Sequence, residues 1–103
     1  MKSKIQAGRG LKLNSNQRKL LQRLFTVPAD FKFSELRTLL NGFGYVESNG
    51  SASSGSRVYF LHPDTKDILL LHKPHPGDEM KKAAVKSVCR FLLAHGDVEE
   101  VEV

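Results

Sequence analysis

The chain has 103 residues, 16 Lys and Arg against 11 Asp and Glu, and a net charge of +5. That length supports a single modest core. With a mean hydropathy of −0.33, and no uninterrupted apolar run longer than Ile68-Leu69-Leu70-Leu71, a membrane-spanning helix is excluded from the reading and no membrane partner is expected. The basic balance suits a polyanionic partner, because Lys and Arg gain affinity by neutralising phosphates and releasing counterions.

The single cysteine, Cys89, rules out an internal disulfide and fits a reducing, cytoplasmic setting. It lies beside Val88 and reads as buried and inert. No Cys/His spacing suits zinc, and no metal or cofactor is expected. The basic start is not followed by an apolar segment, since Ala7-Gly8-Arg9-Gly10 interrupts it, so export is not expected.

Residues 1–13 lack helical period, contain two glycines and four bases, and read as a flexible basic arm. Residues 14–96 read as one domain, beginning with an extra helix over 14–26. Asn14 or Ser15 caps that helix, Leu20, Leu21, Leu24 and Phe25 fall on one of its faces, and Val27-Pro28 stops it. Ser34 is the expected N-cap of a second helix over 35–41, with Leu36, Leu39 and Leu40 facing the core and Gly42 or Gly44 ending it.

Three short strands follow, over 45–48, 56–62 and 67–72. Between the first two lies a Gly/Ser run at 49–55, read either as a plain hairpin loop or as a loop closing over phosphate through its backbone N–H groups. Pro63-Asp64-Thr65-Lys66 is a natural turn. If those four residues are the whole loop, Arg57 pairs with His72 and Tyr59 with Leu70. Alternation then puts Val58, Phe60, Leu69 and Leu71 on the buried face. Arg57, Tyr59, Leu61, Ile68, Leu70 and His72 share the other.

Two prolines make residues 73–77 a stiff connector leading to Asp78, the expected N-cap of a helix over 79–95. Met80, Ala84, Val88, Phe91 and Leu92 form its apolar stripe, and Lys82, Lys86 and Arg90 recur on another face. Residues 97–103 hold four acids and no base, an acidic tail that either pairs as an edge strand or shields the basic body. The fold class is α+β: a three-stranded antiparallel sheet packed on helices.

The wording of the middle of the chain is more telling than its pattern. Ser34-Glu35-Leu36-Arg37-Thr38-Leu39-Leu40 is followed by Gly42-Phe43-Gly44-Tyr45. Then come Gly55-Ser56-Arg57-Val58-Tyr59-Phe60, His62-Pro63-Asp64, and a run from His72 through Pro76-Gly77-Asp78-Glu79-Met80-Lys81. In this order the pieces resemble the HicA family of toxin–antitoxin toxins, small ribonucleases inhibited by a HicB antitoxin. Their α-β-β-β-α order is similar to the double-stranded-RNA-binding-domain (dsRBD) fold. The resemblance implies messenger RNA as the substrate and a HicB-like antitoxin as the protein partner. It departs at one position: the family's catalytic histidine directly follows the Gly-Ser pair, where this chain has Arg57.

Metal-free RNA cleavage needs a base for the 2′-OH, an acid for the leaving 5′-oxygen, and positive charge on the phosphate. Arginine clamps phosphate through paired N–H donors but is a poor base, whereas histidine suits proton transfer near neutral pH. The candidate catalytic residues are therefore Arg57 on the phosphate and His72, or His75 from the connector, on the protons. Each histidine also has a structural reading, as a strand end or a fixed point of the connector. Candidate RNA contacts are Arg57, Tyr59, which stacks a base or simply packs, Lys73, and the Lys82/Lys86/Arg90 stripe, which otherwise is a solvated helix face. His62 reads as a turn residue, and His95 as a cation at a helix C-terminus. Two further functional readings stay open. One is a non-catalytic RNA- or protein-binding module of the same fold; the other is an interaction protein using the Leu61/Ile68/Leu70 face.

Overall fold

The computed structural model describes residues 3–8, 10–48, 57–74 and 76–102. The loop read over 49–55, Ser56 and the candidate His75 lie outside the described residues. Among the described residues, three helices and two antiparallel sheets run in the order β1 (Ser3–Ala7), α1 (Ser15–Leu24), α2 (Phe33–Gly42), β2 (Val46–Ser48), β3 (Arg57–Leu61), β4 (Ile68–His72), α3 (Lys82–Ala94), β5 (Val98–Glu102). Strands β2, β3 and β4 form one sheet in that order, and β1 pairs with β5 in the other. The α2-β2-β3-β4-α3 core is the dsRBD-like arrangement expected.

The N-terminus of α1 follows from its first residues. Asn14 Oδ1 accepts from the Gln17 N–H at 2.8 Å and Gln17 Oε1 accepts from the Asn14 N–H at 3.0 Å, a reciprocal cap that satisfies two orphan donors. Leu20, Leu21 and Leu24 are buried. Beyond the helix, Val27 adopts φ 51°, a left-handed conformation that a β-branched residue rarely takes. At the end of α2, Gly44 supplies φ +93°. The Tyr45 N–H then bonds the Leu40 carbonyl at 3.0 Å and the Gly44 N–H bonds that of Asn41 at 3.1 Å, closing the last turn.

Two expected caps are placed differently. Helix α2 begins at Phe33, with Lys32 as N-cap, and the Lys32 N–H is satisfied by Glu35 Oε1 at 3.0 Å. Helix α3 begins at Lys82 instead of Glu79. The cause is long-range. Residues 31–33 bridge to 78–80: the Phe33 N–H bonds the Asp78 carbonyl at 2.7 Å and the Met80 N–H bonds that of Phe31 at 2.8 Å. Backbone groups spent on that bridge are unavailable to a helix. Asp78 serves a helix N-terminus after all, but that of α2: its Oδ2 accepts from the Ser34 hydroxyl at 2.6 Å and from the Ser34 N–H at 3.3 Å.

The hairpin register is as read, with Arg57 opposite His72, Tyr59 opposite Leu70 and Leu61 opposite Ile68. Its inner face is buried at Val58, Phe60, Leu69 and Leu71, and packs with leucines of α1 and α2 and with Val85, Val88 and Leu92 of α3. The Val58 and Phe60 positions are typical of a sheet half-covered by helices, where alternate side chains enter the core.

The ends differ from the reading of a flexible arm. Residues 3–7 form a strand antiparallel to 98–102, with Ile5 opposite Glu100 and Ala7 opposite Val98. The acidic tail is thus a paired strand, one of the two alternatives its sequence left open. A Cβ added at Gly8 would meet the Gly96 carbonyl oxygen at 2.5 Å, so the close approach where β1 leaves β5 requires a residue without a side chain. The layer is tied to the core by a buried link from the Tyr45 hydroxyl to Asp97 Oδ2, 2.6 Å long.

Candidate nucleic-acid interface

The outer face of the three-stranded sheet carries two kinds of surface. At one end Val46, Leu61 and Ile68 are exposed, with Val46 at 55% and Ile68 at 57%, and Leu70 is exposed in the middle rank opposite Tyr59. Helix α1 does not cover them, because it packs on α2 and β1. At the other end Arg57 and His72 face each other across β3 and β4, both exposed, with half-buried Tyr59 in the next rank. Side chains directly opposite in an antiparallel pair lie about 5 Å apart at Cβ. Arg57 and His72 can therefore address one phosphate group together, a cation beside an imidazole.

A groove of about 480 Å³ opens beside this end, and His72, Lys73, Met80 and Lys81 help to line it. The 31–33 to 78–80 bridge makes it. Because Asp78-Glu79-Met80 runs extended instead of helical, Glu79 and Lys81 stand beside the end of β4. By sequence pattern residues 79–81 form the first turn of a helix, a placement that does not put them in the groove. The only signal for their groove position is the Glu79-Met80-Lys81 wording itself.

The stripe on α3 divides. Lys82 and Lys86 are exposed but lie about half a turn around the helix from Ala84, which lines the groove. Arg90 reaches back instead, donating from Nη2 to Ser87 Oγ at 3.3 Å on the groove wall. The sequence-derived residues brought together are thus Arg57, Tyr59, His72 and Lys73, with Arg90 at the margin.

The remaining histidines among the described residues have structural roles. His62 is buried; its Nδ1 accepts from the N–H groups of Asp64 at 3.2 Å and Thr65 at 3.3 Å, fixing the turn, and its ring meets Tyr45 edge-on. His95 caps α3, stacks on Phe91 at 4.1 Å between centroids, and lies 3.8 Å from the Asp67 carboxylate. Cys89 is buried with Sγ 3.7 Å from the Leu24 carbonyl, and burial pushes its thiol up to about 11. Two other arginines are engaged in ion pairs. Arg37 binds both carboxylate oxygens of Glu47, and Arg23 spans Asp30 and Glu35. These contacts raise both guanidinium pKa values further, the hydrogen bond to the carboxylate being the largest cause.

Among the described residues no helix is long and apolar enough to cross a membrane. A family model described as the HicA toxin of bacterial toxin–antitoxin systems matches residues 33–92, more than half of the 103 residues. No curated protein and no solved structure matches the chain. The matched segment runs from the first residue of α2 almost to the end of α3, and so takes in the sheet, the Arg57–His72 pair and the groove. The chain belongs to the HicA toxin family of bacterial toxin–antitoxin systems.

Proposed function

We propose that this toxin is a metal-independent endoribonuclease that cuts messenger RNA in the cytoplasm and is neutralised by a HicB-like antitoxin. The observation that carries the reading is the cross-strand pair of Arg57 and His72 at the mouth of a groove lined by Lys73 and Lys81. Arg57 holds the scissile phosphate through paired N–H donors and stabilises the charge that builds on its oxygens. A histidine takes the proton from the 2′-OH as that oxygen attacks phosphorus. The P–O5′ bond breaks, and a proton passes to the leaving 5′-oxygen, giving a 2′,3′-cyclic phosphate and a 5′-hydroxyl. His72 fills one of these roles, and His75 from the connector is the candidate for the other. Tyr59 stacks a neighbouring base, while Lys73 and Arg90 contact flanking phosphates, with Lys82 and Lys86 engaging only RNA that wraps around α3.

The second reading is a non-catalytic RNA-binding module. It is favoured by Arg57 itself, which stands where the family places its catalytic histidine. The exposed Val46/Leu61/Ile68/Leu70 surface is the proposed seat of the antitoxin, as an apolar patch of this kind marks a protein contact.

The test is cleavage of a defined messenger RNA by the purified toxin, with His72→Ala, His75→Ala and Arg57→His compared. Loss of a general acid or base lowers the rate by about 10²–10⁴-fold. His72→Ala is expected to fall in that range, and Arg57→His to cut at least as well as the parent. Full activity in both alanine variants refutes the assignment. An inert parent that binds RNA, together with an active Arg57→His variant, identifies the binding module.

A further inference from the structure

A second groove lies wholly outside the family-matched segment. It has a volume of about 440 Å³ and runs between β1, the segment at residues 11–13 and α1, where Lys4, Lys12, Arg18 and Gln22 stand over a floor that includes Ile5 and Leu21. Among the described residues no acidic side chain lines it. Lys4, Lys12 and Arg18 are all exposed, and Arg18 is held in place by its Nη1 donating to the Leu13 carbonyl at 2.7 Å. This contrasts with Arg23 on the same helix, which is spent on Asp30 and Glu35. Three cations have converged on one concavity whose described lining holds no carboxylate, one of them already anchored.

We propose that this groove is a second RNA-backbone subsite, which holds phosphates of the same strand that the Arg57–His72 end would cut; the inference rests on the RNA-acting reading above. Charge complementarity limits the occupant to a polyanion, and the strand edge decides which kind. An acidic peptide adding to the edge of β1 needs its outward backbone groups. The Ile5 carbonyl on that edge already accepts a hydrogen bond from Gln22 Nε2, so the ladder cannot be extended there. A phosphodiester chain needs only cations at intervals, and the groove presents three. The β1–β5 layer and α1 therefore do more than extend the fold: they lengthen the track on which a long RNA lies.

The experiment measures binding apart from cleavage. A fluorescein-labelled 2′-O-methyl oligoribonucleotide of about 24 residues cannot be cut, because the attacking hydroxyl is blocked. Its affinity for the full-length toxin is read by anisotropy against salt, for the parent, for Lys4→Gln/Lys12→Gln, and for Lys19→Gln/Lys66→Gln as a control of equal charge outside the groove. On single strands each phosphate contact contributes about −0.7 to the slope of log K against log salt, hence about fivefold at 0.1 M relative to 1 M. The groove variant is expected to lose about 25-fold in affinity and about 1.4 in slope, well beyond the control, with an unchanged melting temperature. Equal losses in the two variants, or no loss in the groove variant, overturn the subsite while leaving the ribonuclease reading intact if the parent cuts RNA. A parent that neither binds nor cuts RNA overturns both. Weakened capture of the antitoxin with undiminished RNA affinity would assign the groove to an acidic protein and also overturn the proposal.

Discussion

The substitution Tyr45→Phe tests whether the flanking layer is part of the cooperative fold. The native side chain is 2% exposed and Asp97 is 0% exposed, and the hydroxyl donates to Asp97 Oδ2 at 2.6 Å. The substitution keeps the ring, so its contacts with His62 and Phe91 survive, and no cavity is left beyond one oxygen atom. What is lost is one donor to a carboxyl group inside the core, worth about 1–3 kcal/mol. Taking about 2 kcal/mol, and about 4–8 °C of melting temperature per kcal/mol for a domain near this size, the variant should melt about 8–16 °C lower. It should stay folded, since small domains carry about 5–15 kcal/mol. Urea denaturation gives the free energy, and an unchanged m-value confirms that the same surface unfolds. Hydrogen exchange supplies the local readout: amides of the β1–β5 ladder should gain exchange rate more than those of β3 and β4. A loss below about 0.5 kcal/mol, within the range of ordinary surface substitutions, would refute the idea that this link fastens β5 to the core.

Two further outcomes follow from groups away from the proposed site. With its thiol pushed up to about 11, Cys89 is thiolate to only about one part in a thousand at pH 8, against about a quarter for an ordinary thiol. Alkylation by iodoacetamide should therefore be slower than for a free thiol by at least about tenfold, and be fast only on unfolding; rapid labelling of the folded protein would contradict the burial. Asp78 is held below its ordinary value, first by the Ser34 hydroxyl hydrogen bond. A depressed carboxyl contributes stability that is present above its unfolded value, about 3.9, and is lost as pH falls through the lowered folded value. The stability difference between the parent and Asp78→Asn should thus be constant from pH 7 to about pH 4 and shrink below it; a difference that does not change down to pH 2.5 would exclude this linkage.

What could be read in advance follows the range of the interactions. The β3–β4 register was legible because a four-residue turn fixes it locally and alternation sorts Val58 and Phe60 from Arg57 and Tyr59. Leucine spacing gave α1 and α2 their buried faces for the same reason. The start of α3 was not legible. Asp78 is a good N-cap by type, but residues 31–33 compete for the backbone of 78–80, and that competition spans more than forty residues. The β1–β5 ladder joins residues more than ninety positions apart, and residues 1–13 alone look like a charged arm. The candidate site inherits this split. The Arg57–His72 pairing came from local register, whereas the positions of Glu79 and Lys81 beside the β4 end came from the long-range bridge.

The two ends of the outer sheet face are close enough to bear on how the toxin would be silenced. From the Arg57–His72 pair to the Leu61–Ile68 pair is four residues along the strand, about 13–14 Å at the usual rise. A standard protein interface covers about 800 Å² on each partner, a patch roughly 28 Å across. A protein seated on Leu61, Ile68 and Val46 therefore extends over Arg57 and His72 without any conformational change in the toxin. In the proposed reading, neutralisation needs no second mechanism: the apolar half of the face supplies the affinity, and the polar half is covered as a consequence. The same geometry separates the two roles for mutation. Polar substitutions at Ile68 would act on the proposed seat of the antitoxin and leave Arg57 and His72 in place, because Ile68 is 57% exposed and contributes little to the core.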